Sequence, residues 1–228
     1  MNRRDYLASL TAVGTASTAG CLGPLSGVIG GGSDTYLGKP DNQRARSADL
    51  PWPAYGQDLP EVTLTAPLSG QEITTTQFDD KFVAMTFFYS HCTTVCPFLI
   101  SALRDMQAQA ANEGYSDDIV FLPVTFDPER DDEERLREYA EQENVDLDIG
   151  NWHFLRPDDK EHAKQVVADT FGVGFWRTHP EGMNMYMFDH RALVLLANDD
   201  AVVERAYSGN DPPTQRLIDN VETMRSRR

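Results

Sequence analysis

Two apolar runs constrain this chain more than any other feature: residues 82–89, FVAMTFFY, and residues 119–126, IVFLPVTF. Each is nearly continuous rather than alternating, which is the pattern of a strand buried on both faces of a parallel sheet. Between them Pro97 suits the first position of a helix. Leu99, Ala102, Leu103, Met106 and Ala110 then recur at threes and fours to make one apolar face, which Gly114 closes. Strand, helix and strand of these lengths predict a βαβ unit with parallel strands and a right-handed crossover. Pro123 has no N–H to give to a ladder, so the second strand is expected to be irregular there.

The flanking pattern completes the fold class. Val62-Thr63-Leu64-Thr65 and Gln71-Glu72-Ile73 flank Ser69-Gly70 as a small hairpin. Asp131 with Glu134 reads as a capping box for a helix that turns Leu136, Tyr139 and Ala140 inward. Residues 152–155 read as a short strand, and Asp158 or Asp159 caps a further helix through Ala163, Val166 and Val167. Strands at 192–197 and 202–207 are joined by Asn198-Asp199-Asp200, and a last helix covers about 213–225. The expected architecture is α/β, a thioredoxin-like fold with a central mixed sheet flanked by helices and an N-terminal β-hairpin, occupying residues 61–228.

The first residues carry a different message. Arg3-Arg4, a short apolar stretch and the small residues before Ala19-Gly20-Cys21 have the order of an export signal with a lipobox. The stretch is too short and too rich in Ser, Thr and Gly for the roughly 20 residues a membrane span needs. Residues 1–20 are thus expected to be a twin-arginine lipoprotein signal, with Cys21 the lipid-bearing first residue of the mature chain. Residues 21–60, rich in Gly, Ser and Pro, are expected to be a flexible linker. This places the domain outside the cell, lipid-anchored to the outer face of the cytoplasmic membrane.

Charge excludes some partners. With 36 acidic against 20 basic residues the formal net charge is -16, so phosphate-rich ligands meet the wrong sign and nucleic acid is not an expected partner. The bias is also that of a halophilic protein, because strong salt screens such repulsion to within a few Å.

With Cys21 assigned to the anchor, Cys92 and Cys96 are the cysteines of the exported domain. They stand where a central strand hands over to a helix, the habitual ligand crevice of open α/β sheets. Cys96 falls at or beside the helix N-cap, where free N–H groups favour a thiolate. The three-residue spacing, Cys92-Thr93-Thr94-Val95-Cys96, lets the sulfurs converge either as one disulfide or as two thiolates around a soft ion. Among soft ions copper is favoured over zinc, since structural zinc usually takes four protein ligands and no further cysteine is present in the exported domain.

The chain resembles the Sco/SenC family at three places in the right order. These are residues 88–97, FYSHCTTVCP; residues 124–131, VTFDPERD; and Asp189-His190 ahead of a strand. The resemblance implies a thioredoxin fold and copper, as Cu(I) or Cu(II), held by Cys92, Cys96 and His190. It further implies a role in maturing the copper centre of a terminal oxidase, whose copper-centre subunit would be the partner. Thr93 stands where the family commonly has proline, and Arg191 where it often has a small residue. Asp127, at the end of the neighbouring strand, is read as an outer-shell group that orients a thiol or a docking partner. Asp131 is read as a helix cap, and Met183, Met185 and Met187 as core.

Two functions of different class follow. One is a membrane-tethered copper-binding protein that delivers copper to the oxidase, or prepares the cysteines of its copper centre. The other is an extracytoplasmic thiol-disulfide oxidoreductase without obligatory copper, in which Cys92 and Cys96 are the catalytic pair and no histidine is needed.

Overall fold

A computed structural model describes residues 35–228, apart from 42 and 183. The expected signal, Cys21 and the first part of the linker therefore lie outside the described residues, as does Met183. No helix among the described residues is long and apolar enough to cross a membrane.

The hairpin forms as read, with β1 (Thr63–Ala66) antiparallel to β2 (Gln71–Thr74). The apolar runs become β3 (Phe82–Phe88) and β4 (Ile119–Thr125), parallel and buried along their whole length. They are linked by helix α1 (Cys96–Asn112), which buries Leu99, Ala102, Leu103, Met106 and Ala110 as its periodicity predicts. Gly114 ends that helix at φ 73°, a left-handed position that costs glycine nothing. On the other side of β3 lies β7 (Leu193–Ala197), antiparallel and wholly buried, followed by β8 (Val203–Ser208). The sheet order is β4-β3-β7-β8, a mixed sheet with β3 inside it. The closing helix α4 (Thr214–Arg227) buries Leu217, Val221 and Met224 and packs beside α1.

Pro123 does not make β4 irregular as expected: the register with β3 runs unbroken through Thr86 and Pro123, and the missing N–H falls on the other edge. The odd-numbered amides of β4 face outward, where Phe121 N–H donates to Asn151 O and Thr125 N–H to Leu155 O. Proline at 123 has no donor for the place between them. Residues 152–155 accordingly touch β4 through isolated bridges rather than as the regular strand expected.

Two other expectations change, and one open choice is settled. The cap of α2 (Glu133–Gln142) is Asp132, whose side chain accepts the Arg135 N–H, and not Asp131. Of the two caps read for the next helix, Asp159 is the one that serves: it caps α3 (Lys160–Ala163), which runs on into a wider turn over Lys164–Thr170. The linker expected as far as residue 60 is docked on the domain from residue 35 onward. Tyr36 and Leu37 give their N–H groups to the buried Glu204 carboxyl at 2.5 and 2.9 Å, and Leu59 N–H bonds Ala201 O. Gly172, at φ 67°, packs so tightly beneath this segment that a Cβ there would stand 1.7 Å from Pro51 O.

A second small sheet was not expected. β5 (Phe175–Thr178) and β6 (Met187–His190) pair antiparallel and form no ladder with the central sheet. Phe175, Phe188 and His190 turn onto Phe126, which stacks with Phe175 at 4.9 Å. Trp176 and Asp189 pair on the opposite, outward face. Met187 is half-buried against the core as read, but Met185 is 51% exposed and not part of it.

Candidate metal centre

The site begins at the end of β3. Tyr89 lies just beyond β3, and Cys92 N–H turns back to Tyr89 O at 3.2 Å, so the chain makes a tight bend before α1. The bend is fastened from below by Asp131, which is fully buried. Its carboxyl accepts the Ser90 N–H, the Ser90 hydroxyl at 2.6 Å and the Thr125 hydroxyl. Arg135 adds bonds to Ser90 Oγ and Ser90 O, both at 2.8 Å. Asp131 is thus the strut that ties the ends of β3 and β4 together under the cysteines. Its role was missed because a capping box one residue earlier fits the sequence equally well.

Both thiols are unbridged and buried, Cys92 at 5% exposure and Cys96 at 0%. Cys96 is the first residue of α1, and its backbone N–H donates to Cys92 Sγ at 3.4 Å. Thr94 Oγ1 lies 3.5 Å from the same sulfur. The helix terminus therefore favours the thiolate of Cys92, not that of Cys96 as expected. Cys92 is brought down to about 3, chiefly by the hydrogen bond from the Cys96 thiol; burial opposes this, and His190, Thr94 and the Cys96 N–H assist it. Cys96 is pushed well above the usual thiol range, by burial first and then by its bond to, and the charge of, Cys92. The pair holds one negative charge and one proton, with the charge on the outer sulfur.

His190, the last residue of β6, completes the group. Its Nε2 is 3.3 Å from Cys96 Sγ, and its Nδ1 is 3.2 Å from Arg191 O. A carbonyl can only accept, so Nδ1 donates to it and Nε2 is the nitrogen turned toward the sulfurs. Tyr89 and Phe126 pack on the ring at 6.2 and 4.9 Å and hold its plane. The three donor atoms lie within 4.8 Å of one another. For bonds of about 2.3 Å to sulfur and about 2.0 Å to imidazole, donors on one trigonal ion stand roughly 3.5–4 Å apart, so a small closure fits one ion between them. An open cleft of about 510 Å³ leads to the site past Thr93, Thr94, Phe98 and Asp189.

Asp127 is buried, but its oxygens serve Arg130 Nε at 2.5 Å and Tyr186 OH at 2.8 Å rather than a thiol. Burial raises its pKa in spite of both partners. His91, Asp127 and Asp131 also have ligand atoms within 4.8 Å of one another. The carboxyls there are taken by Arg130, Tyr186, Ser90 and Thr125, so that group is a hydrogen-bonded network. Arg191, the departure from the family pattern, lays its guanidinium over the Trp52 ring at 4.8 Å and so faces the docked N-terminal segment.

A family model described as SCO1/SenC matches residues 65–226. The chain is 25% identical over 138 residues to the SCO1 protein homolog of Bacillus subtilis (strain 168), covering 60% of this chain and 67% of that one. It is 26% identical over 145 residues to the mitochondrial SCO2 homolog of Homo sapiens, covering 63% of this chain and 51% of that one. It thus spans about half of the human relative. Similar solved structures include a SCO1/SenC family lipoprotein from Bacillus anthracis str. Ames, with TM-score 0.60, 22% identity and coverage of 77% and 96%. Another is Arabidopsis thaliana ScoI with copper bound, with TM-score 0.61, 23% identity and coverage of 75% and 99%. The fold is the thioredoxin-like one expected.

Proposed function

The chain belongs to the SCO1/SenC family, and from that premise we propose that it binds copper and passes it to, or prepares the cysteines of, the copper centre of a terminal (cytochrome c) oxidase. Solved relatives from Arabidopsis thaliana and yeast carry copper, and a further one is described as belonging to a family of cytochrome c oxidase assembly proteins. Copper is then cargo. Cys92, Cys96 and His190 would hold it, since two sulfurs and an imidazole suit Cu(I) and the imidazole also accepts Cu(II).

The observation that carries this reading is the His190 ring, with its Nε2 turned to 3.3 Å from Cys96 Sγ by a bond on its far nitrogen. A disulfide catalyst needs no such third donor. Loading releases the Cys96 proton, because only the thiolate is a strong ligand. Cys92, the less buried sulfur, is the donor that an incoming partner thiol displaces first. Attachment through lipid on Cys21 would keep the domain at the outer face of the cytoplasmic membrane, a reading supported by the arginine pair and Ala19-Gly20-Cys21.

One observation favours the oxidoreductase as a second reading: an outer thiolate beside a buried, protonated thiol is also an attacking and resolving pair. Titration of the reduced, metal-free protein with Cu(I) under a competing chelator separates the two. Near one equivalent is taken up, and Cu(I) affinity falls in Cys92→Ser, Cys96→Ser and His190→Ala alike. Undiminished uptake in His190→Ala, with reduction of an insulin disulfide by the metal-free protein, would favour the second reading.

A further inference from the structure

The two cysteines are fixed by the central sheet and α1, whereas His190 rides on the separate β5–β6 sheet. That small sheet needs its own attachment, and the polar part of it converges on one residue, Tyr186. Its ring lies between two guanidiniums, with Arg130 Cζ and Arg177 Cζ each 3.7 Å from the centroid. Its hydroxyl donates to Asp127 Oδ1 at 2.8 Å, and its carbonyl accepts from Arg130 Nη1 at 3.0 Å. Arg130 is itself held by Asp127 Oδ2 at 2.5 Å, and Arg177 by Glu129. Asp127, Glu129 and Arg130 belong to the turn after β4, whose amides 130 and 131 fold back on Asp127 O. That turn is anchored to the core, while Arg177 and Tyr186 belong to the β5–β6 hairpin and the connection within it.

Two residues beyond Tyr186, the Phe188 N–H donates to Tyr89 OH at 3.2 Å. Tyr89 stands at the end of the cysteine strand and packs on the His190 ring. A second tie thus brings the same strand to the thiols, but it is a single neutral bond. The Tyr186 clamp combines a charged acceptor, a charge-assisted bond to its carbonyl and two cation–π faces, so it is the stronger of the two.

We propose that Tyr186, gripped by Arg130 and Arg177 and bonded to Asp127, is a positioning residue that holds His190 against the two thiols. The role rests on His190 being the third ligand. In this arrangement Asp127 acts on the site from the histidine side, through Tyr186, and not by orienting a sulfur. A Tyr186→Ala change removes ring and hydroxyl together, whereas Tyr186→Phe keeps both guanidinium contacts and loses only the bond to Asp127.

The test uses the full chain, reduced and metal-free, with hydrogen exchange of the amides of β6 read beside those of β3 and α1. Tyr186→Ala should speed exchange in β6 by at least about tenfold and leave β3 and α1 unchanged, with Tyr186→Phe intermediate. Cu(I) affinity should fall at least about tenfold in Tyr186→Ala, and no further when the change is added to His190→Ala. Unchanged exchange in β6 overturns the clamp. So does a loss of affinity that adds in full to that of His190→Ala, because Tyr186 would then not act through the histidine. Undiminished Cu(I) binding in His190→Ala alone would instead defeat the ligand assignment, and exchange would then decide the clamp by itself.

Discussion

The backbone N–H of Cys96 donates to the sulfur of Cys92 across 3.4 Å, so the first free donor of α1 serves the outer thiol rather than the inner one. The two sulfurs thereby become unlike. The outer one holds the charge beside the helix terminus, and the inner one keeps its proton under complete burial.

Alkylation of the reduced, copper-free protein by iodoacetamide should report this asymmetry. A free thiol near pKa 8.5 loses about tenfold in thiolate for each pH unit below it. Cys92, held down to about 3, stays ionised across that range, so its labelling should stay nearly flat from about pH 8 to pH 5. Peptide mapping should find the label on Cys92. In Cys96→Ala the largest cause of the lowering is gone, and the profile should fall with acid at a higher pH. A profile in the intact protein that follows an ordinary thiol would contradict the assignment.

Asp131→Ala should destabilise the domain without removing any candidate ligand. It leaves the buried Ser90 N–H and the Thr125 hydroxyl without their acceptor. Such a loss costs about 2–4 kcal/mol, to be read as a lower urea midpoint. Asp132→Ala removes only an exposed cap and should cost about 1 kcal/mol. Equal costs would mean that Asp131 is not the strut.

Gly172→Ala should loosen the N-terminal segment. The new methyl would overlap Pro51 O, and φ of 67° disfavours any side chain there. Stability should drop by about 1–3 kcal/mol, and limited proteolysis should begin to cut between residues 35 and 60, a segment expected to resist in the wild-type chain. Resistance in the variant would show that this segment does not depend on the contact.

Much of this was legible in the sequence where local pattern and tertiary need agree. The runs at 82–89 and 119–126 could only be buried strands, and the periodicity behind Pro97 could only be a helix packed on them. Cys92 and Cys96 followed from that junction. His190 was legible by motif alone, because the strand that carries it is short, half-exposed and, among the described residues, paired only with β5. Residues 175–178 and 187–190 bury too little to show a period, and the force that holds them is a set of distant charged and aromatic contacts on Tyr186. Asp131 and Asp132 were not separable locally, since both precede α2 by a capping distance. The choice is made by Ser90 and Thr125, which take Asp131 into the core. The docking of residues 35–60 was hidden for a similar reason, resting on the buried Glu204 and on Gly172 rather than on any repeat of its own.

X-ray absorption of the reduced protein loaded with one equivalent of Cu(I) tests the three-donor site most directly. Two sulfur neighbours at about 2.3 Å and one imidazole nitrogen at about 2.0 Å are predicted, with the imidazole scattering absent from His190→Ala and one sulfur lost in each of Cys92→Ser and Cys96→Ser. A sulfur-only shell in the wild-type protein, unchanged by His190→Ala, would contradict the account.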